Sequence, residues 1–454
     1  MHRVPQSTDT VAAFRAALLE VSTDLRPWRI RGEVREIRGN SLVVSLPKTE
    51  VGALLEIQTA GCSLPAIVIG FERSLYVAAP LAPLRRTAPG DQVTVNASSL
   101  SIKANYAQLG SVVGSFGEEL ERMVHASVTR APARGVSPLE SGRAPEAPPM
   151  NALARTLIRR QVQTGIRAID AFLPLGYGQR MVVFAEPGVG KSSLMESILI
   201  AGSHRVNVVA LIGERGREVR ECIDSLKRSG AAANTVVVVA TSDRPAICRV
   251  HAAWTAISIA EYFRDAGADA LLIVDSITRF CRALRDLGLG AGEHPVRRGY
   301  ASSVFSRLPE FVERAGPGAP SGGNITALYT ALLSGELEED PMVEEIRGLC
   351  DGHIFLSKSL AEQGLFPAID ILKSISRLSS TLLAAEPFRR AADLRAAWAT
   401  IEREEELVRL GGAPTEQFTA AKKLEQPLRD FLKQPRGAIS SLEETFNALA
   451  ALRP

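Results

Sequence analysis

The sequence predicts an α/β chain in three parts: a small N-terminal β-barrel, a central domain with a mostly parallel sheet, and a C-terminal helical domain. Three observations carry this. Short β-rich runs separated by turn signals crowd residues 29–100. From Thr164 to about Leu378, apolar strand candidates alternate with helical patterns, as in a sheet covered by helices on both faces. Beyond Leu383 the pattern is helical to the end. The expected boundaries are 1–28 for an amphipathic helix, 29–100 for the barrel, 101–378 for the central sheet domain with a Pro-rich connector near 129–149, and 379–454 for the helices.

Composition limits the function classes. With 454 residues and 46% apolar content the chain builds a large core and exceeds the usual size of one domain. Fifty-three basic residues against 50 acidic ones leave +3, too little to argue for nucleic acid or an anionic membrane. Cys62, Cys222, Cys248, Cys281 and Cys350 have no CxxC spacing and are odd in number, which suggests reduced thiols and a cytoplasmic location. No apolar run is long enough to span a bilayer, and Asp9, Arg15, Glu20 and Asp24 interrupt any signal-peptide pattern.

In chain order, Val11, Phe14, Leu18, Val21 and Leu25 share one helical face, which either packs on its own domain or docks a partner. The barrel strands are expected at Ile30–Ile37, Ser41–Leu46, Ala66–Phe71, Leu75–Ala79 and Gln92–Val95, with turns at Gly39-Asn40, Pro47-Lys48, Pro65 and Pro89-Gly90-Asp91. No aromatic stripe or basic cluster marks the barrel as an oligonucleotide binder. Thr129–Pro149 reads as an extended surface connector. The central strands are expected at Met181–Phe184, Val206–Ile212, Val236–Ala240, Leu271–Val274, Ile325–Thr330 and His353–Leu356. Among the C-terminal helices, Gly411-Gly412 stops one, Pro435–Gly437 separates two more, and Ser440 with Glu443 makes a capping box for the last.

The chemistry centres on Ala185–Ser192, A-E-P-G-V-G-K-S, between an apolar run and a helix start. Glycines there let backbone N–H groups turn toward an anion, and the helix N-terminus adds partial positive charge. Lys191 would reach the β- and γ-phosphates and Ser192 would hold Mg²⁺. Ala185 replaces the first glycine of the stricter motif. Two further strand ends supply carboxylates, where ligands of a parallel sheet bind. Asp275 ends Leu271–Val274 and would help hold Mg²⁺ through water. Glu214 follows Val208–Ile212 and would polarise the water that attacks the γ-phosphate. The alternative for Glu214 is a surface pair with Arg215 or Arg217.

These residues carry a resemblance. TGIRAIDAFLPLGYGQR (Thr164–Arg180), EPGVGKSS, GERGREV (Gly213–Val219), IVDSITRFCRALR (Ile273–Arg285), GLGAGEHPVRRGY (Gly288–Tyr300) and LFPAIDILKSISR (Leu365–Arg377) follow in order. The chain resembles the ATPase family of type III protein secretion, shared by bacterial flagella and injectisomes and related to the catalytic subunit of rotary ATP synthases. The resemblance implies a RecA-like ATPase core that uses ATP and Mg²⁺. It places Glu186, Pro187, Gly188, Val189, Gly190, Lys191, Ser192 and Ser193 on the nucleotide, and Phe366 on adenine, with Phe431 a second adenine-side candidate. It makes Glu214 the catalytic glutamate and Asp275 the Walker B aspartate. Arg215 and Glu218 match residues near metal and phosphates, and Arg279 a γ-phosphate-proximal arginine. Arg377 matches an arginine finger that reaches a neighbouring subunit, so the active form is expected to be a homo-hexamer. Implied partners are a stator-type regulator at the N-terminal helix, a central stalk, an export gate and chaperone–substrate complexes, at the cytoplasmic side of the inner membrane, without nucleic acid.

Competing readings remain: a ring-shaped nucleic-acid translocase, a rotary synthase subunit, and a non-enzymatic nucleotide-binding subunit, against which Glu214 speaks. Arg377 could instead pair with Asp370 or a surface acid, and Phe366 could be plain core. Arg297-Arg298 could line a pore or lie in a solvated loop. Gly299-Tyr300-Ala301-Ser302 lacks the prolines expected after Tyr, Ser334-Gly335-Glu336 stands where an acidic pair is usual, and Lys358 stands where Arg is usual.

Overall fold

A computed structural model describes residues 30–97, 100–124, 142–333 and 340–452. The expected helix at 11–25, most of the connector, and Ser334-Gly335-Glu336 lie outside these residues. The chain divides into two compact units, Met1–Leu100 and Ser101–Pro454.

The first unit is a closed antiparallel barrel. Its strands are β1 (Arg31–Arg38), β2 (Ser41–Ser45), β3 (Leu54–Thr59), β4 (Cys62–Glu72), β5 (Leu75–Pro80) and β6 (Gln92–Ala97), in the order β1-β2-β5-β4-β3-β6. Alternate residues turn inward, so Val34, Leu42, Val44, Leu55, Ile57, Val68, Ala78 and Val93 make the core. Closure leaves no free sheet edge. β3 was not among the expected strands. Its sequence, Leu-Leu-Glu-Ile-Gln-Thr, carries Glu56 and Gln58 between its apolar residues, and pairing to β4 and β6 on its two sides makes it a strand.

The second unit is built on a mixed sheet. In chain order its strands are β7 (Ser111–Val113), β8 (Glu119–Arg122), β9 (Arg180–Ala185), β10 (Val206–Ile212), β11 (Thr235–Ala240), β12 (Ala270–Asp275), a separate hairpin of β13 (Pro295–Arg297) and β14 (Tyr300–Ala301), then β15 (Gly316–Pro317), β16 (Asn324–Leu332), β17 (Gly352–Leu356) and β18 (Ile375–Ser376). The order across the sheet is β18-β17-β9-β16-β12-β10-β11-β7-β8, parallel from β17 to β7. All six expected central strands are present. β7 and β8 were missed, being too short for a periodic signal: β7 is recruited by pairing to the edge of β11, and β8 by pairing to β7.

Helices fill both faces: α1 (Arg167–Phe172), α2 (Lys191–Ala201), α3 (Gly216–Ser229), α4 (Ala246–Asp265), α5 (Ile277–Gly290), α6 (Ser302–Arg314), α7 (Pro341–Leu349), α8 (Lys358–Glu362), α9 (Ser379–Leu382), α10 (Ala385–Arg409), α11 (Glu416–Leu432) and α12 (Leu442–Ala451). Strand residues alternate between two cores. Val182, Phe184, Val208 and Ala210 join α4–α7, whereas Met181, Val183, Val209 and Leu211 join α1–α3. The second core also takes Leu394, Trp398, Leu428 and Phe431, so the C-terminal helices pack on the phosphate-loop side of the sheet. On the other face Arg314 is fully buried and ion-paired to Glu261 at 2.6 Å, and Arg143, at the described end of the connector, reaches the same carboxylate at 2.8 Å.

Two expectations are corrected. The last helix is capped one residue later than expected: the Ser441 hydroxyl accepts the Glu444 N–H, and the Glu444 carboxylate accepts the Ser441 N–H at 2.7 Å. Ser440 instead donates its N–H to the Gly165 carbonyl. Phe431 is not at a nucleotide cavity; it is buried edge-on against Phe172 beneath the Arg167 guanidinium.

Candidate nucleotide site

β9 delivers the chain to the phosphate loop at the carboxyl end of the sheet. Gly188 and Gly190 have φ of +87° and +96°, in the left-handed region that a side chain disfavours. A Cβ on Gly190 would also meet the Phe366 ring at 3.9 Å. Helix α2 opens at Lys191 with Gly190 as its N-cap, so its first N–H groups face the loop. Ala185 is a fully buried β9 residue, and the tight geometry of the loop begins after it.

Parallel register brings the other two strand ends to the same rim. Leu211 lies opposite Asp275, and Asp275 opposite Thr330. The Lys191 ammonium contacts the Asp275 Oδ1 and lies 3.8 Å from the Glu214 Oε1. Arg279, in the first turn of α5, places its guanidinium 3.1 Å from the other Glu214 oxygen. Lys191, Glu214, Asp275 and Arg279 therefore form one ion-pair cluster, and Glu214 is not a surface glutamate: it is 4% exposed.

Burial pushes the Glu214 carboxyl up to about 8, reinforced by hydrogen bonding to Glu218 and by the Asp275 charge, against the pull of Lys191 and Arg279. Glu218, in the first turn of α3, is held below the usual carboxylate range by that hydrogen bond. The Glu214 Oε1 is buried without a hydrogen-bond partner among the described residues. A buried acceptor left unsatisfied at a charged rim is a place where a reacting group is received.

Beside the loop lies a cavity of about 480 Å³, within the range of small-molecule sites. Gly188, Val189, Gly190 and Ser193 form one wall, Phe366 and Pro367 another, and Lys433–Arg436 a third. Phe366 is 45% exposed, so it is not core and offers a ring face to a flat ligand. Ser192 is exposed at the loop, Glu186 half-buried, Pro187 exposed.

Arg215 is not drawn into the cluster: its side chain is 76% exposed and 4.0 Å from Glu218. Arg377 follows edge strand β18, whose Ser376 pairs with Gly352 at the start of β17, while the phosphate loop leaves β9 at the Leu356 end. Four residues of strand, about 13 Å, separate those rims, so Arg377 is remote from its own chain's phosphate loop. It does not pair with Asp370, which accepts the N–H groups of Leu372 and Lys373 at 3.0 Å. Arg297 is exposed in the β13–β14 hairpin, 3.7 Å from Glu344, and Tyr300 is buried under Arg285 without the expected prolines. Lys358 is exposed at the start of α8.

Sequence reasoning passed over Thr330, whose hydroxyl donates to Asp275 Oδ1 at 2.7 Å and orients it. Little in the sequence pointed to it: Thr330 stands inside its strand, followed by Ala331-Leu332-Leu333, and only the register opposite Asp275 singles it out. Gln434, which joins the cavity walls, gave no signal, because its partners lie far away in sequence.

A glycine loop between a buried parallel strand and a helix, with a lysine and two strand-end carboxylates at one rim, defines a phosphate-loop nucleotide-binding domain. Residues 165–376 match the family model described as ATP synthase alpha/beta family, nucleotide-binding domain. The flagellum-specific ATP synthase of Bacillus subtilis (strain 168) is 38% identical, aligned over 93% of this chain and 94% of that protein. The type 3 secretion system ATPase of Xanthomonas euvesicatoria is 39% identical over 93% of each. Among solved structures, the assembled ATPase EscN from the enteropathogenic E. coli type III secretion system superposes with a TM-score of 0.84 at 38% identity, covering 93% of this chain and 99% of that one. EscN in complex with its central stalk EscO gives 0.80. The chain belongs to the family of flagellum-specific and type 3 secretion ATPases, and the expected barrel, parallel-sheet core and C-terminal helices are those of that fold.

Proposed function

We propose that this chain hydrolyses ATP with Mg²⁺ to energise type III protein export, either flagellar or injectisome. The observation that supports this reading is the convergence of Lys191, Glu214, Asp275 and Arg279 at one strand rim beside a base-sized cavity. The loop N–H groups and Lys191 bind the phosphates, and Phe366 stacks on adenine. In its carboxylate form, the minority form while its carboxyl sits at about 8, Glu214 accepts a hydrogen bond from the attacking water and takes its proton as the water oxygen bonds to the γ-phosphorus and the bond to ADP breaks. Arg279 holds the Glu214 carboxylate in place and lies where charge builds up on the γ-phosphate.

Mg²⁺ fits the donors present: the exposed Ser192 hydroxyl for direct contact, and Asp275 and Glu218 through water, the hydration Mg²⁺ keeps. When bound it would neutralise charge on the β- and γ-oxygens. Arg377 is assigned to a neighbouring subunit's ATP, because its own phosphate loop is at the opposite rim. Such a finger is worth roughly 10³–10⁵ in rate, and this supports a homo-hexamer as the active form. A central stalk, a stator-type regulator at the N-terminal segment, an export gate and chaperone–substrate complexes are the proposed partners, at the cytoplasmic side of the inner membrane. Among the described residues no helix is long and apolar enough to cross a membrane.

Glu214→Gln tests the assignment. It should keep ATP affinity within about threefold while turnover falls roughly 10²–10⁴-fold, the usual share of a general base. Wild-type turnover in this variant would remove Glu214 from the chemistry.

A further inference from the structure

The segment Lys433–Ala438 connects α11 to the last helix and covers one side of the base cavity. Its root is Gln434, 6% exposed. The Gln434 N–H donates to the Phe366 carbonyl at 2.8 Å. Its side-chain amide nitrogen donates to the carbonyls of Gly165 and Ala438, both at 2.7 Å, and its amide oxygen accepts the Arg167 N–H at 3.1 Å. Two carbonyls on one side and an N–H on the other fix the amide orientation. One side chain thus ties together the Phe366 wall, the Gly165–Arg167 turn and the strap itself. That turn is fixed in its own right: the buried Asp170 carboxylate accepts the N–H groups of Thr164 and Gly165.

The strap's outer end is held differently. Arg436 donates to Glu196 at 2.6 Å. Glu196 lies on α2, the helix that begins at the phosphate loop, and also accepts from the Ser225 hydroxyl of α3. The Arg436 side chain is 69% exposed, so this pair is weak and screened by salt, whereas the Gln434 root is buried.

We propose that this strap is a clamp on the nucleotide's base, with Gln434 as its positioning residue and the Arg436–Glu196 pair as its outer catch. The inference rests on the ATP reading above and concerns how long the nucleotide stays. A base seated against Phe366 has the strap on its free side. A triphosphate without a base meets only the loop and does not feel the clamp.

The test uses the full chain, N-methylanthraniloyl-ADP chased by excess ADP in stopped flow, and inorganic tripolyphosphate as the base-free probe. Arg436→Ala and Glu196→Gln should each release ADP about two- to fivefold faster, the scale of an exposed ion pair. The difference should close in about 1 M salt, where the screening length falls to about 3 Å. The charge-exchanged double variant, Glu196→Arg with Arg436→Glu, should return to slow release. Tripolyphosphate affinity should be unchanged throughout. Gln434→Ala should weaken ADP at least about tenfold, since it strands buried polar groups on two walls, again without change for tripolyphosphate; if it fails to fold, the ion-pair variants decide. Release at the wild-type rate from both single variants, no recovery in the exchanged pair, or equal weakening of tripolyphosphate would each overturn the clamp. A wild-type chain that binds tripolyphosphate and not ADP would overturn the ATP reading itself, and the clamp with it.

Discussion

At the scale of single residues, the site depends on side chains that hold others. Thr330 orients Asp275, Arg279 orients Glu214, and Gly213 makes room for Arg279. Gly213 has φ of +68°, and a Cβ there would come within 3.0 Å of the Arg279 Cδ and 3.6 Å of the Arg249 Cδ. Gly213→Ala should therefore cost about 1–2 kcal/mol of stability, the left-handed penalty, and should also displace Arg279 from Glu214. The expected outcome is kcat down at least about tenfold, or some 1.4 kcal/mol in barrier, with KM for ATP nearly unchanged, measured by steady-state hydrolysis. An unchanged kcat would show that Arg279 does not need its present position. The glycine was visible in the GER motif, but its reason was not, because Arg279 is remote in sequence and only the parallel register of β10 with β12 brings it near.

At the scale of elements, helix ends and buried titratable groups give sharper tests than the cores do. Ser441→Ala should cost about 1 kcal/mol, the worth of an N-cap, seen as a lowered urea midpoint, and Ser440→Ala should cost close to nothing. The reverse ranking would restore the cap expected from the sequence. Two serines in a row, each three residues before a glutamate, cannot be told apart by pattern, and the hydrogen bond from Ser440 to Gly165 decides between them. Helix α4 carries His251, buried at 5.2 Å from the Phe116 ring and pushed down to about 4 by burial and by the Arg307 charge. Its folded value lies below the unfolded one near 6.5. The unfolded chain thus takes up the proton first as pH falls, and stability present above pH 6.5 is lost on the way to 4. His251→Leu should flatten this acid limb by up to about 1.4 kcal/mol per pH unit, measured as urea midpoints at pH 5 and pH 7. Equal slopes in both proteins would show that His251 is already protonated when folded.

At the scale of the whole molecule, the two rims of one sheet do separate jobs. The carboxyl end of β9 holds the phosphate loop, and the amino end of β17 holds Arg377. If a neighbour's Arg377 completes each site, Glu214→Gln and Arg377→Ala chains should each be inactive alone and regain measurable hydrolysis when mixed. In the mixture, some interfaces pair an intact Glu214 with an intact Arg377. No recovery across mixing ratios, with assembly confirmed by light scattering, would show that Arg377 serves its own chain.

The phosphate loop, the two strand-end carboxylates and the six central strands were legible in the linear sequence, because a buried parallel strand is written as an unbroken apolar run and its functional residue stands at the end of that run. Strands β3, β7 and β8, the placement of Phe431 in the core, and the Gln434 strap were decided only by the tertiary structure. β3, β7, Phe431 and the strap are held by partners distant in the chain, through ladder pairing, ring packing or hydrogen bonds that local pattern cannot match, and β8 follows because it pairs with β7.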